Sequence, residues 1–447
     1  TGAQADTPIG IINSKSLFGR RQPTKMLTKP LLPTKSASGL DEVGSTVTAT
    51  VINLLKNMVG AGLLNVCIAF QYASVLGGVL IMIFSAFVST AGFLLIGLTC
   101  SKTGSKSFRA LWQASIGQGS EKVVDVVLFF HTLFSCVGYI TMIGDFSVKS
   151  CSGLFPDSPF AHRRELSIYL ITLVALFPLS LYKNLDSLKH TSVIGLVITA
   201  LSCAYVFYDV VANAEEYGAG EVIRTHFWYV KLDMFKTLAL FNGSFSAHYN
   251  APTYYAELRD RSFAKFAQVT LWAFAIATLL FTAFGIAGFA RFGEQVLGNV
   301  LKSYSPDDPM VQLSWFFMMV STVFNFPHAF QRMRMSFNAL RNRRAHSDFL
   351  LTTVGLLGIS LYMGVAFQDI AVIKMIKGAT LGVSIMFIFP GMIYLSLSSR
   401  ELAAAVADGE GKARGEPRRL LRALSAVMLA SGFLQGALAL MVHCRLL

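Results

Sequence analysis

Apolar residues run along this chain in blocks of about 20, separated by short polar stretches rich in Lys and Arg. Blocks of that length match the hydrocarbon width of a bilayer, whereas the elements of a soluble domain alternate polar and apolar positions within a few residues. The pattern predicts eleven spans: Thr48 to Tyr72, Val75 to Leu98, Val123 to Ser147, Leu166 to Leu181, Thr191 to Val211, Met234 to Tyr254, Ala267 to Ala290, Met310 to Phe330, Phe349 to Phe367, Ile370 to Leu397 and Leu420 to Val442. Ahead of them, residues 1–44 are polar, basic and rich in Ser, Thr, Pro and Gly, with no apolar core of a signal peptide. They predict a disordered cytosolic tail in front of a membrane domain over 45–447, and a start at Thr1 points to a trimmed sequence.

Two of the blocks are broken from within. The first carries "NLLKNMVGAG", Asn53 to Gly62, where a lysine, two amides and two glycines interrupt the apolar run. The sixth reads "FNGSFSAHYNAPTYYAEL", Phe241 to Leu258, with Gly243 between Asn242 and Ser244 and with Pro252 beyond. Backbone polar groups in lipid must be satisfied internally, so a broken helix survives only where protein or a cavity receives its open ends. Breaks in corresponding spans of two halves point to a transporter of inverted repeats with substrate near the midplane. The expectation is therefore an all-α, five-plus-five inverted-repeat fold with broken helices 1 and 6 and an eleventh helix added.

Composition sharpens this picture. The 447 residues are 53% hydrophobic and 14% charged, with a mean hydropathy of +0.55, against about 25% charged in soluble domains. The net charge of +13 does not imply nucleic acid, because the basic residues lie in short loops with no soluble domain to present a groove. Alternating the eleven spans from a cytosolic N-terminus puts 26 of the 38 Lys and Arg on the inner side, as the positive-inside rule expects. Lys374 and Lys377 fall on the outer side in that count. The six cysteines fit neither a metal site nor a disulfide framework.

The polar residues inside the spans are the candidate chemistry: His131 is the deeply placed ionisable one, a functional candidate by default, whereas Asp125, Asp145 and Asp209 lie near span ends and read as facing water. Asn53 and Asn57 share a helix face and could line a pathway, and Lys56 reads as a residue reaching toward the membrane surface. Freed carbonyls at Val59 and Ala61, with Ser321, Thr322 and Asn325 of the eighth span, could supply oxygens to a hard cation such as Na+. A proton would instead need an ionisable carrier, for which His248 and His328 are candidates, and the sequence leaves the two ions open. No catalytic residue and no organic cofactor is implied.

Four stretches resemble one family. "LLKNMVGAGLL" (Leu54 to Leu64), "HYNAPTYYAELRDRS" (His248 to Ser262), "FGIAGFARFGEQVLGNVL" (Phe284 to Leu301) and "MFIFPGMIYLSL" (Met386 to Leu397) are similar to segments of the amino acid/auxin permease family, which includes sodium-coupled neutral and proton-coupled amino acid transporters. The chain departs from the family at Val66-Cys67, where a Leu-Pro pair is common, at Asn65, and at Pro252, displaced by one residue. The resemblance implies a non-enzymatic, eleven-span secondary transporter of amino acids, neutral ones foremost, working by alternating access on a proton or sodium gradient. It places Asn57, Val59, Gly60, Ala61 and Gly62 on the substrate turn and Asn242, Gly243 and Ser244 on the facing break. Val59, Ala61, Ser321, Thr322 and Asn325 bracket the ion. Phe134 and Phe241 would shape the side-chain pocket. The expected partners are an amino acid and the lipid bilayer of the plasma membrane or a vacuolar or lysosomal endomembrane, around a monomer. A non-transporting amino acid receptor on the same fold is the alternative.

Overall fold

The computed structural model describes residues 44–59, 63–182, 189–341, 348–407 and 415–444. The expected tail, apart from Gly44, lies outside them, as do Gly60, Ala61 and Gly62. The described regular structure is helical, apart from a bridge between Ser45 and Leu258. In chain order the helices are α1 (Val47–Val59), α2 (Val66–Ala73), α3 (Val75–Thr103), α4 (Phe108–Ser115), α5 (Lys122–Leu154), α6 (Pro159–His162), α7 (Arg164–Ile171), α8 (Phe177–Ser180), α9 (Lys189–Ala212) and α10 (Ala219–Thr225). They continue with α11 (Met234–Ser244), α12 (Ala251–Glu257), α13 (Phe263–Phe292), α14 (Pro309–Leu340), α15 (Phe349–Ala366), α16 (Ile370–Lys377), α17 (Phe389–Ala407) and α18 (Gly415–His443). Wide π turns at Gly378–Gly382 and Ser384–Ile388 lie between α16 and α17.

The expected count of eleven spans and the five-plus-five repeat are not upheld. Among the described residues, six helices are long and apolar enough to cross a membrane: Val75–Thr103, Lys122–Gly153, Phe263–Gln295, Phe349–Ala366, Ile370–Ala404 and Arg419–His443. Helices over Val47–Val59 and Leu63–Ala73, inclined by 42°, make a seventh if taken as one bent span. The other blocks fail for local reasons. The fourth divides into α7, a π turn and α8. Of α9, the stretch with described side chains, Val197–Ala212, is apolar but shorter than a membrane span. The sixth separates into α11, of 11 residues, and α12, of seven. Helix α14 has the length, but Gln312, Asn325, Gln331, Arg332 and Arg334 dilute its apolar character. Reading apolar content without helix continuity overcounted the spans, and with one bent pair among the described residues the matched pair of broken spans is lost.

The bundle has two chemically different ends. At one, Ser45 N–H donates to Glu257 O (2.7 Å), Lys102 pairs with Glu401 (2.8 Å), and Arg109 pairs with Asp125 and with Glu121 (3.1 Å). Glu121 also accepts a hydrogen bond from a backbone N–H, which holds its carboxyl below the usual range. At the other end, the segment after α13 is tied down on several sides. Asn65 donates to Gly298 O, Gln71 to Glu294 O (2.8 Å) and Trp315 to Leu301 O (3.1 Å). Asp145 there bridges Arg164 and Lys302, each at 3.1 Å, and Asp209 pairs with Arg291 (3.3 Å) and accepts from Tyr304 (3.0 Å). Asp125, Asp145 and Asp209 are all buried, so the sequence-based expectation that they face water gives way to ion pairs that tie elements together.

Apolar packing falls into two clusters. The larger gathers Phe70, Phe93, Phe241, Phe266, Phe274 and Phe281 from α2, α3, α11 and α13, with Phe245 just past α11 and the residues around them. The smaller joins α5, α14 and α15 through Val137, Ile140, Phe326, Phe330 and Leu356. Near the tied end, Met142 and Phe146 of α5 and Val311, Trp315 and Met318 of α14 pack into the larger cluster. Outward-facing Phe87, Leu279, Leu351 and Tyr362 remain exposed, as a lipid-facing surface requires.

Helices α11 and α16 approach backbone to backbone. A Cβ on Gly378 would lie 1.9 Å from Ala239 O, and one on Gly243 would lie 3.1 Å from Lys374 O. Gly378→Val is therefore expected to lower stability by at least about 1–3 kcal/mol, the usual cost of overpacking a tight interface. Gly358→Val, where an added Cβ meets nothing within 4 Å, is the control. Thermal melts of the two variants in detergent check this, and equal melting temperatures would refute the close contact.

Candidate functional site

The two apolar clusters are separated, on the half of the bundle away from the tied end, by a polar seam. It is assembled from α1, α5, the break after α11, α14 and α16. His131 and Ser135 of α5 are four residues apart and share a face. Lys377, at the end of α16, donates from Nζ to Ser135 Oγ at 2.8 Å, and Ser135 donates to His131 O at 2.9 Å. His131 Nε2 lies 3.5 Å from Ser246 Oγ, and its ring lies 5.2 Å from that of Tyr249. Tyr249 donates its hydroxyl to Asn57 Oδ1 at 3.3 Å, and the Arg332 guanidinium sits 5.7 Å from the Tyr249 ring.

This arrangement follows from the break. Helix α11 ends at Ser244, and the chain runs through Phe245, Ser246 and Ala247 before a single turn at His248–Asn250 leads into α12. Pro252, in the first turn of α12, suits a helix start because it has no N–H to leave unpaired. Two seam atoms, His131 Nδ1 and Asn57 Nδ2, are buried without a hydrogen-bond partner among the described residues. Burying a polar atom unpaired is costly, so such atoms facing a seam mark where a polar ligand would bond.

The sequence-predicted residues are distributed around this seam rather than all within it. Asn57 is in it. Gly60, Ala61 and Gly62 lie outside the described residues. Asn242, Gly243 and Ser244 are still helical, three residues before the break. Asn242 donates to Gln435 Oε1 of α18 (3.3 Å), Gly243 lies against α16, and Ser244 donates back to Leu240 O. Phe241 is fully buried with its ring 6.3 Å from Phe70, while Phe134 is half-buried at the edge of the smaller cluster. Among the ion candidates, Ser321 Oγ lies 3.1 Å from Thr199 Oγ1 of α9, and Asn325 donates to Ser321 (3.4 Å). Thr322 donates to Met318 O of its own helix (2.6 Å). Val59 borders a cavity of about 310 Å³ whose lining includes Leu55, Leu63, Thr199, Cys203 and Phe207 and is almost wholly apolar. His248 is buried against Ser89 O (2.7 Å) and Phe93, on the side of α3.

Sequence reading weighed His131 but missed Ser135, Tyr249 and Lys377 as members of one site. The one available signal was an ionisable residue inside an apolar block, which is functional by default.

With this geometry in hand, comparisons with known proteins can be set beside it. The family described as "Transmembrane amino acid transporter protein" matches residues 43–407. The chain is similar to Vacuolar amino acid transporter 5 of Schizosaccharomyces pombe, 28% identical over 79% of this chain and 84% of the relative. It is similar also to Vacuolar amino acid transporter 2 of Saccharomyces cerevisiae, 24% identical over 80% and 78% of the two chains. Sodium-coupled neutral amino acid transporter 7 of Mus musculus is 23% identical over 82% and 83%.

Phe241→Ala separates packing from recognition. From its burial we expect a loss of about 3–5 kcal/mol of stability. A variant that melts normally yet changes which amino acid is carried would put Phe241 in the substrate pocket instead. Tyr249→Phe keeps the ring on His131 and Arg332 but removes the bond to Asn57. It should change stability by no more than about 1 kcal/mol while raising the uptake KM, and an unchanged KM would take Tyr249 out of the site.

Proposed function

The chain belongs to the transmembrane amino acid transporter family, and from that premise we propose that it carries amino acids across a membrane by secondary active transport through the seam at Asn57, His131, Ser135, Tyr249 and Lys377. It is a multi-pass membrane transport protein, not an enzyme, since its relatives are transporters. The observation that carries the proposal is the contrast between the ends of the bundle. One end is held by Asp145, Asp209 and the segment over Gly298, while the polar seam divides the apolar clusters in the other half. Alternating access needs such an arrangement: one body moves against another around a site, and the closed end is held by contacts that can be released.

On this reading the substrate's α-carboxylate meets the backbone where α1 ends, near Val59 and on through Gly60, Ala61 and Gly62, while Asn57 and Tyr249 bond its polar groups. Gly243, with Asn242 and Ser244, holds the opposite wall against α16. Phe241 and Phe134 support that wall rather than touch the amino acid. A coupling Na+ would sit between the Val59 and Ala61 carbonyls and Ser321, with Thr322 and Asn325 beside it. Proton coupling would run through His131. The end bearing Lys102, Lys106, Arg109, Arg259, Arg261 and Arg400 is the cytosolic one by the positive-inside rule, and the chain enters α1 from that side, where Ser45 meets Leu258. Two of the relatives are named as vacuolar, which favours a vacuolar or lysosomal endomembrane over the plasma membrane. The protein works as a monomer in this scheme, since the whole seam comes from one chain.

Uptake of labelled amino acids into liposomes holding the purified protein, with sodium and pH gradients imposed separately, tests the proposal. Saturable uptake under one of them is expected. If sodium drives it, Ser321→Ala should weaken the sodium dependence at least tenfold, and if protons do, that variant should be neutral and His131→Gln should lose the drive. Binding without flux in folded protein would favour a receptor and refute transport.

A further inference from the structure

The helices that build the seam carry cations and almost no anions. No Asp or Glu occurs in α1, in α11, in α14, in α16 or between Val126 and Gly144 of α5, whereas Lys56, Arg332, Lys374 and Lys377 do occur on them. The acids at the ends of α5 are engaged elsewhere, Asp125 with Arg109 and Asp145 with Arg164 and Lys302. Lys377 forms no ion pair among the described residues, and its ammonium donates to the Ser135 hydroxyl. A cation held inside a membrane protein without a counter-ion is unfavourable, and intramembrane lysines normally face a carboxylate or a substrate path.

Position adds to charge. The close contact of Gly378 with Ala239 fixes the end of α16 against the helix that leads into the break, so Lys377 is held at the seam rather than at the lipid surface. Its ammonium meets the Ser135 hydroxyl, which bonds in turn to the main-chain O of His131, and the buried ring of that His131, with Nδ1 unpartnered among the described residues, faces Ser246 and Tyr249 on the same seam. Hydroxyl and imidazole groups beside an ammonium suit a carboxylate, which accepts several hydrogen bonds at once.

We propose that Lys377, with Ser135 and His131, receives the side-chain carboxylate of an amino acid, so that the transported class is the dicarboxylic amino acids. This rests on the transport reading above and departs from the neutral substrate expected from sequence. The substrate's side-chain carboxylate supplies the anion that these helices lack.

The test uses the full chain in liposomes, with labelled aspartate, glutamate, asparagine and glutamine supplied under the driving gradient. The expected result is a preference for the acids over their amides of at least tenfold. Lys377→Met and Lys377→Gln, shown folded by size-exclusion chromatography, should cut that ratio tenfold or more, and Lys377→Arg should keep it. Uptake of the amides with no uptake of, or competition by, the acids would overturn the proposal and leave transport standing. An acid-to-amide ratio unchanged in Lys377→Met would also overturn it, because Lys377 would then hold a group common to all amino acids. If no amino acid is carried, transport itself has failed. Equilibrium binding of labelled glutamate in detergent then decides: binding lost in Lys377→Met upholds the anion site, and no binding to the unsubstituted protein ends it.

Discussion

The arrangement of the seam depends on one backbone contact, that of α16 with α11 at Gly378 and Ala239. Two helices come this near only where a side chain is missing from the interface. The contact has two consequences. It seats the last turn of α16 against the helix that stops at Ser244, so the break opens beside Lys377. It also coincides with the π turn at Gly378–Gly382, an irregularity that frequently occurs at functional sites. A helix kept apart from α11 by a larger side chain would carry Lys377 away from Ser135.

The rest of the bundle is asymmetric around that contact. Toward the tied end, Trp315, Phe146 and Met142 bring α5 and α14 into the larger apolar cluster, and Asp145 and Asp209 gather cations from separate segments. Each buried carboxylate there is bonded more than once, which is what makes burial of its charge tolerable. Removing one such partner costs about 3–5 kcal/mol in typical buried pairs, so these contacts can hold an end shut. In the other half, α5 and α14 pack on α15 instead, and a polar surface is left between two apolar bodies.

Much of this could be read from sequence, and the failures have physical causes. Apolar blocks gave the membrane class, and the glycines of the first block marked its bent pair of helices. In the sixth block the expected break at Gly243 is not there, because Asn242 and Gly243 are helical and serve contacts with Gln435 and Lys374, and α11 ends only at Ser244. The span count failed because block length says nothing about where a helix is cut, as at Ser244 and Thr172. Phe241 looks the same in sequence whether it lines a pocket or packs on Phe70. Lys374 and Lys377 were the most instructive misreading. Near the start of an apolar block they resemble flanking charges, and the charge count assigned them to the outer surface. The structure places both within the Ile370–Ala404 span, where the same two residues change from topological markers into candidate chemistry.

A fixed cation in the seam bears on how transport could be coupled to closure. Placing an unpaired lysine in a dry membrane interior costs about 2.5–3.5 kcal/mol on insertion scales. Closing the seam over Lys377 would incur a cost of that kind when the site is empty, and an anion beside the ammonium would remove much of it. A ligand shifts a two-state equilibrium only by its difference in affinity for the two states. Neutralising a buried charge is such a difference, larger in the closed, dehydrated state than in the open one. The same physics would limit the ion site proposed beside it. A Na+ near Val59 and Ser321 would be repelled by Lys377 in the empty protein and less so once a carboxylate is bound, so substrate and cation would favour each other's binding without touching.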